Sequence, residues 1–198
     1  MIKIGLTGGI GVGKTYVAKI FESLDIPVFD ADKEAKFCLN SDLELINSIK
    51  KIFGNNLYKN NLLQTKILAN IVFNDKNKLE ILNNLVHPIV KKNFSIWTKK
   101  KKSKLVIKEA AILFESNSHL DLDFIICVSA PKSLRISRIK ERDKLSFVEI
   151  ESRIKNQMSQ KEKESLSNFV IYNDEKKMLL PQIIKICNNL LLKKVSNN

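Results

Sequence analysis

Cysteine is scarce in this 198-residue chain, which has only Cys38, Cys127 and Cys187. Three is an odd number and the positions lie far apart, which argues against a disulfide framework and predicts reduced, partly buried thiols. Histidine is scarcer still. His87 and His119 have no cysteine or histidine at ligand spacing, which argues against structural zinc. No stretch is long and apolar enough to cross a bilayer. An apolar strand pattern begins at Ile2 with no leader ahead of it, so a cytoplasmic protein without a membrane partner is expected. No internal repeat is present. Aromatic residues make up 7% of the chain and do not interleave with basic ones as they do on single-strand nucleic-acid surfaces. What remains, 44% hydrophobic and 28% charged, is the composition of a globular protein with a real apolar core.

Positive charge is abundant. The formal net charge is +13, and Lys99 to Lys102 followed by Lys104 form the one dense basic run. That run falls between a helical and a strand pattern, where a solvated connection is expected. Lysine is heavily used throughout, so the charge reads as general composition and no dedicated nucleic-acid role is expected. Such a surface still attracts polyphosphates.

The most informative stretch is Gly8-Gly9-Ile10-Gly11-Val12-Gly13-Lys14-Thr15. It follows the apolar run Ile2 to Leu6 and precedes a helical pattern with Val17, Ile20, Phe21 and Leu24 on one face. The spacing G-x-x-x-x-G-K-T is that of a P-loop. Glycines let the backbone curl so that successive N–H groups converge on phosphate oxygens. The helix that opens beside Gly13 adds its positive end. Lys14 reaches the outer phosphates, and the Thr15 hydroxyl suits Mg²⁺, which takes few protein ligands. The dinucleotide fingerprint G-x-G-x-x-G fails, because Tyr16 or Lys14 stands where its third glycine is needed.

Further along, Ile26 to Phe29 reads as a second strand ending in Asp30-Ala31-Asp32. Strand alternation puts the two carboxylates on one side if extension continues. They suit a water-bridged Mg²⁺ or an acceptor hydroxyl, and one of them also suits a cap for a helix starting at Lys33. Residues 33 to about 104 read as helical, without a strand. Ser41-x-x-Glu44 fits a capping box, with Leu43, Ile46, Ile49 and Phe53 as the apolar face behind it and Gly54 as the stop. A second helix carries Leu63, Ile67 and Ile71. A third runs from about Lys76 and is interrupted at His87-Pro88. His87 reads either as a packed histidine or as a ligand contact. Leu105 to Glu109, Asp123 to Val128 and Phe169 to Asn173 read as three further strands, and a last helix spans about Lys176 to Leu192. Ser196 to Asn198 are expected to fray. Alternating strands and helices imply a parallel sheet.

Between the last two strands, Ser133 to Arg142 reads as a helix carrying Arg135, Arg138 and Arg142, three of the chain's four arginines. Guanidinium forks suit phosphate oxygens. The competing reading is salt bridging, with Glu141 and Glu149 as candidates. The polar stretch from Asp143 to Ser165 reads as a mobile lid rather than core.

A P-loop serves switches, motors and kinases alike. The guanine-reading N-K-x-D is approached only by Asn77-Lys78-Leu79-Glu80, within a helical pattern. The short length, the helical insertion, the acidic pair and the arginine-bearing stretch favour a small-molecule phosphoryl transferase. At this point the chain resembles the dephospho-coenzyme A kinases. The resemblance rests on Gly5 to Thr15, Asp30-Ala31-Asp32, His87-Pro88, Leu113-Phe114-Glu115, Arg138-x-x-x-Arg142-Asp143, Arg153-x-x-x-Gln157-Met158 and Val170-Ile171-x-Asn173, in family order. Thr15 stands where serine is common, and Glu109-Ala110-Ala111 where a proline-containing segment is frequent.

The resemblance implies an α/β, P-loop NTPase-type three-layer sandwich with a five-stranded parallel sheet, a helical substrate-binding insertion and a lid. The expected core is 1–32, 105–137 and 166–198, with a coenzyme A-binding domain at 33–104 and a lid at 138–165. The implied reaction is ATP-dependent phosphorylation of the ribose 3′-hydroxyl of dephospho-coenzyme A, with Mg²⁺. Asp32, Lys14, Arg138 and Arg142 are the expected catalytic residues. Gly8, Gly9, Gly11, Val12, Gly13, Lys14, Thr15, Tyr16 and Arg142 are expected to hold the nucleotide, with Thr15 on the metal. Asp32, His87 and Glu115 are expected on the substrate side. A monomer or weak homo-oligomer is expected. A nucleoside or nucleotide kinase of the same architecture is the alternative, and a nucleotide-dependent switch or nucleic-acid-binding module is the alternative from another class.

Overall fold

The structure, a computed structural model, describes residues 1–73 and 75–195. Five strands form one parallel sheet: β1 (Ile2–Thr7), β2 (Val28–Asp30), β5 (Leu105–Glu109), β6 (Phe124–Ser129) and β7 (Phe169–Tyr172). Their order is β2-β5-β1-β6-β7, which places β1 at the centre. Ile4 lies opposite Ile107 on one side and Phe124 on the other, and Leu6 opposite Glu109 and Ile126. A strand with neighbours on both sides and helices over its faces has no solvated face, so β1 and β6 read as continuous apolar runs. Ile4, Leu6, Ile107, Ile126, Val128 and Ile171 form the sheet's share of the core. Val17 and Phe21 from α1 (Lys14–Ser23) and Ile183 and Leu190 from α9 (Leu179–Val195) pack into the same core. The position of β1 matters for function, because the chain that leaves its end is the glycine-rich loop.

Two compact units can be distinguished, Met1–Phe29 with Lys101–Asn198, and Asp30–Lys100. The second is built from α2 (Ala31–Ser41), α3 (Leu43–Phe53), a 3-10 turn at Asn55–Leu57, the hairpin of β3 (Tyr58–Lys59) and β4 (Leu62–Leu63), α4 (Thr65–Phe73) and α5 (Lys76–Lys99). Tyr58 donates its hydroxyl to the Leu39 carbonyl at 2.8 Å, and Asn40 accepts from the Leu63 N–H at 2.9 Å, so the hairpin is tied to α2.

Several local expectations are corrected here. The N-cap of α3 is Asp42, which accepts from the Leu45 N–H at 3.0 Å, whereas Ser41 ends α2 and donates to the Phe37 carbonyl. A carboxylate one residue later matches the N-terminal charge of the helix as well as its orphan N–H groups. The register of α3 moves with it: Leu45 and Ile49 are buried, and Leu43 is 75% exposed. The face of α4 is also offset, with Leu68 and Val72 buried and Ile67 exposed. The short hairpin went unread because its signal is only the pair Asn60-Asn61, both at positive φ (50° and 61°), a turn chemistry asparagine tolerates. Pro88 lies inside one helix, α5, rather than ending it. A proline removes one backbone donor, and here the 24-residue span tolerates that loss.

The stretch after α6 (Lys132–Asp143) also departs from expectation. It contains two capped helices, α7 (Phe147–Lys155) and α8 (Gln160–Ser165), each opened by a full capping box, Ser146 with Glu149 and Ser159 with Glu162. Ile150 and Lys163 are fully buried there, so the stretch is not wholly outside the core. The three thiols are buried and unbridged. Burial pushes the Cys127 thiol up to about 11, so it stays protonated at neutral pH. Among the described residues no helix is long and apolar enough to cross a membrane. The expectation for Ser196 to Asn198 lies outside the described residues.

Replacing Asp42 by alanine should lower unfolding free energy by about 1 kcal/mol, the usual worth of an N-cap. Ser41→Ala, at a position that caps nothing, should leave it nearly unchanged. Urea unfolding of the two variants checks this assignment, and the reverse order would return the cap to Ser41.

Candidate active site

The loop between β1 and α1 curls through positive backbone angles. Gly13, the N-cap of α1, has φ +87°, and a Cβ there would stand 2.3 Å from Asn173 Nδ2. Glycine is the residue that meets both demands. No side chain caps α1 at Gly13, and the helix then runs through Val17 and Phe21 into the core. The first turn of a helix has N–H groups with no intrahelical acceptor, and this end of α1 presents them as an anion site. Asn173, just beyond β7, braces the loop from outside: its amide donates to the Val12 carbonyl at 2.9 Å.

Lys14 donates its ammonium to the Gly8 carbonyl at 3.0 Å, so it lies along the loop it belongs to. The Thr15 hydroxyl donates to Glu109 Oε1 at 3.1 Å. Glu109 ends β5, the strand beside β1, and is 7% exposed. A hydroxyl and a buried carboxylate at the mouth of the loop are hard oxygen donors of the kind Mg²⁺ takes alongside phosphate and water. Among the described residues no group of three or more His, Cys, Asp or Glu is placed to hold a metal. The donor pair therefore fits a cation that shares its coordination with a phosphate rather than one caged by protein.

The arginines of α6 divide by depth. Arg135 is buried and donates Nε to the Ile10 carbonyl at 2.9 Å, a neutral partner. Burial pushes its guanidinium down from the ordinary value, though an arginine remains charged. Arg138 reaches the Asn173 carbonyl at 3.2 Å and Glu175 Oε1 at 2.9 Å. Its Nη1 lies 4.0 Å from the point a Cβ on Gly13 would occupy, which brings it to the loop. Arg142, one turn on, is mostly exposed and forks onto Asp143 at 2.7 and 3.0 Å. That hydrogen bond holds the Asp143 carboxyl below the usual carboxylate range, against a small opposing effect of burial. The partners are thus Asp143 and Glu175, not Glu141 and Glu149, the candidates of the competing salt-bridge reading.

The comparisons with known proteins bear on this geometry. The dephospho-CoA kinase (CoaE) family model matches residues 2–178. The chain belongs to the dephospho-CoA kinase family. The dephospho-CoA kinase of Bacteroides fragilis is 37% identical over 186 residues, covering 93% of this chain and 91% of the relative. The structure of the dephospho-CoA kinase from Campylobacter jejuni is 30% identical, covers 95% of this chain and 96% of its own, and superposes with a TM-score of 0.66. A crystal structure from Thermus thermophilus is 29% identical, covers 96% and 97%, and superposes with a TM-score of 0.86.

Within this member of the dephospho-CoA kinase family most of the expected site residues fall into two groups, with Arg142 paired to Asp143 and Glu115 paired to Lys163 apart from both. Gly8, Gly9, Gly11, Val12, Gly13, Lys14, Thr15 and Arg138 come together at the end of β1, with exposed Tyr16 on the first turn of α1. Asp32 and His87 lie in the second unit. Asp32 is exposed in the first turn of α2, and Asp30 is the cap, accepting from the Lys33 N–H at 2.8 Å. Extension stops at Asp30, so strand alternation does not govern Asp32. His87 is half-buried on α5. Glu115 Oε1 is taken by Lys163 Nζ at 2.7 Å and by the Met158 N–H at 3.0 Å.

Sequence reading missed Glu109, Gln157 and Gln160 as members of the site. A charged residue closing the apolar run Leu105-Val106-Ile107 was the available signal for Glu109. Gln157 stands in the Arg153-x-x-x-Gln157-Met158 motif, which marks the residue without saying what it contacts, and Gln160 had no signal, since a polar amide in a polar stretch looks solvated. Lys163 was missed for the same reason: it is 0% exposed and also donates to the Ala111 carbonyl at 2.6 Å.

Lys163→Ala should destabilise the protein by roughly 1–3 kcal/mol, because it empties a fully buried position and leaves the Ala111 carbonyl without its donor. Thermal and denaturant melts read it. A loss below about 0.5 kcal/mol, the range of a surface position, would show that Lys163 is not an anchor.

Proposed function

We propose that this protein transfers the γ-phosphoryl group of ATP to the ribose 3′-hydroxyl of dephospho-coenzyme A, giving coenzyme A and ADP in the final step of coenzyme A biosynthesis. The observation that carries the reading is the family match over residues 2–178. The P-loop, with Thr15 bonded to a buried carboxylate, supports it independently. In this reading 1–32, 105–137 and 166–198 are the nucleotide-binding core, 33–104 the coenzyme A-binding domain and 138–165 a lid. The protein works in the cytoplasm on small molecules, as a monomer or weak homo-oligomer, with no nucleic-acid or membrane partner.

The backbone N–H groups from Gly11 to Thr15 hold the phosphates. Lys14 leaves the Gly8 carbonyl and turns to the outer phosphate oxygens. Thr15 and Glu109 are the residues that would hold Mg²⁺, which when bound spreads positive charge over those oxygens. Arg138 exchanges Glu175 for the transferring group, and Arg142 supports the nucleotide from the next turn. Asp32 orients the acceptor hydroxyl and receives its proton, and His87 and Glu115 contact the substrate. The new O–P bond forms to the acceptor oxygen as the bond from γ-phosphorus to the β–γ bridging oxygen breaks, and ADP leaves. Charge in such a loose transition state lies mainly on the transferring oxygens, so positioning and neutralisation contribute more than full proton removal. Lid closure keeps out water, which otherwise competes as acceptor.

Incubation with ATP, Mg²⁺ and dephospho-coenzyme A should yield coenzyme A and ADP in equal amounts. Folded, nucleotide-binding protein that makes neither would refute the reading, and turnover restricted to a nucleoside acceptor would favour the sister class. Asp32→Asn should lower kcat by at least about a hundredfold, the usual share of a general base, with little change in ATP affinity. Unchanged kcat would remove Asp32 from the chemistry. Lys14→Ala should lower kcat and also weaken ATP binding, measured by calorimetry, because its charge contacts the ground state as well.

A further inference from the structure

Two amides from the polar stretch after α6 reach the glycine-rich loop. Gln157 Oε1 accepts from the Ile10 N–H at 2.9 Å, and Gln160 Oε1 accepts from the Gly9 N–H at 3.0 Å. The orientation of Gln160 is forced by chemistry. Its NH₂ donates to the Val128 carbonyl at 3.1 Å and to Glu164 Oε1 at 3.0 Å, both acceptors only, so its oxygen must face Gly9. Arg135 takes the Ile10 carbonyl from the other side. A Cβ on Gly9 would stand 2.5 Å from Arg135 Nη2 and 3.2 Å from Gln160 Oε1, so the backbone is held closely between them. The anchors are themselves anchored, because Met158 and Lys163 bind Glu115 and Lys163 binds the Ala111 carbonyl.

These N–H groups are engaged within the protein rather than offered to an anion, and they need acceptors, since a buried unpaired amide costs about as much as a lost hydrogen bond. The strongest acceptor available to a protein is a carboxylate. Here it would put a negative charge beside a loop whose task is to bind a polyanion. An amide oxygen accepts the same bond without the charge. We propose that Gln157 and Gln160 are positioning residues of the phosphate cradle, holding Gly9 and Ile10 with neutral acceptors so that the following N–H groups converge on the nucleotide with no negative charge bonded directly to the loop; Glu164 stands one amide further out. The proposal rests on reading the loop as the ATP site and explains why these amides belong to it although neither touches a reacting atom.

The test uses the full-length protein, ADP as probe, calorimetric affinity at low and high salt, and the melting temperature without nucleotide. Gln157→Glu keeps the acceptor and adds the charge. Its melting temperature should stay within a few degrees of wild type. Its ADP affinity should fall on the order of tenfold to a hundredfold, as for a like charge at short range, and should recover as salt rises or as pH falls through the glutamate range. Gln157→Met keeps the volume and removes the acceptor. It should raise the ADP Kd several-fold without adding salt dependence to the loss, and it decides the matter if the glutamate variant does not fold. A folded glutamate variant that binds ADP as wild type does, or an unchanged Kd in the methionine variant, overturns the inference alone. Wild-type protein that binds no ADP overturns the kinase reading and this inference with it.

Discussion

A backbone can grip a polyphosphate only where several N–H groups converge on one point, and convergence has a structural requirement. Every neighbouring polar group not aimed at the ligand must find a partner elsewhere, or the curled loop relaxes. In this protein those partners come from distant parts of the chain. Asn173 after β7 takes the Val12 carbonyl, Arg135 in α6 takes the Ile10 carbonyl, and Gln157 and Gln160 take the Ile10 and Gly9 N–H groups. The sheet order places β1 between β5 and β6, so all three sources lie in the same unit as the loop. The loop is short, but the structure that shapes it is most of that unit.

The same constraint accounts for how charge is distributed near the loop. Positive groups are plentiful: Lys14 bonds a carbonyl, Arg135 a carbonyl, and Arg138 a carbonyl and an exposed carboxylate. The one buried carboxylate among these groups, Glu109, sits on the Thr15 hydroxyl, where a cation rather than a phosphate is the suited neighbour. Other carboxylates bond to protein groups rather than to the loop: Glu115 to Lys163, Glu164 to Gln160, Asp143 to Arg142, and Glu149 and Glu162 in the capping boxes of α7 and α8.

The second unit shows where local sequence rules held and where they slipped. Helices α2 to α5 follow from apolar periodicity, yet their caps and faces moved by a residue or two. A helix face is decided by which residues the neighbouring elements can cover, and Leu45 and Leu68 won over Leu43 and Ile67 for that reason. Pro88 in α5 is the same lesson at one position: a local breaker is tolerated when Val86, Val90 and Phe94 are buried on either side of it.

Sequence alone determined the sheet-forming runs, the loop with its glycines, Lys14 and Thr15, and the family, because each is written in contiguous residues with a fixed physical meaning. Apolar runs and glycine spacing act over a few bonds, and order along the chain is enough to read them. Tertiary structure alone decided that Glu109 meets Thr15, that Arg135 is a brace while Arg138 comes to the loop, and that Lys163 is interior. It also decided that Gln157 and Gln160 are partners of a loop some 150 residues earlier. Those facts depend on the burial of polar groups, and a polar residue shows its environment only once the strands and helices around it have been placed.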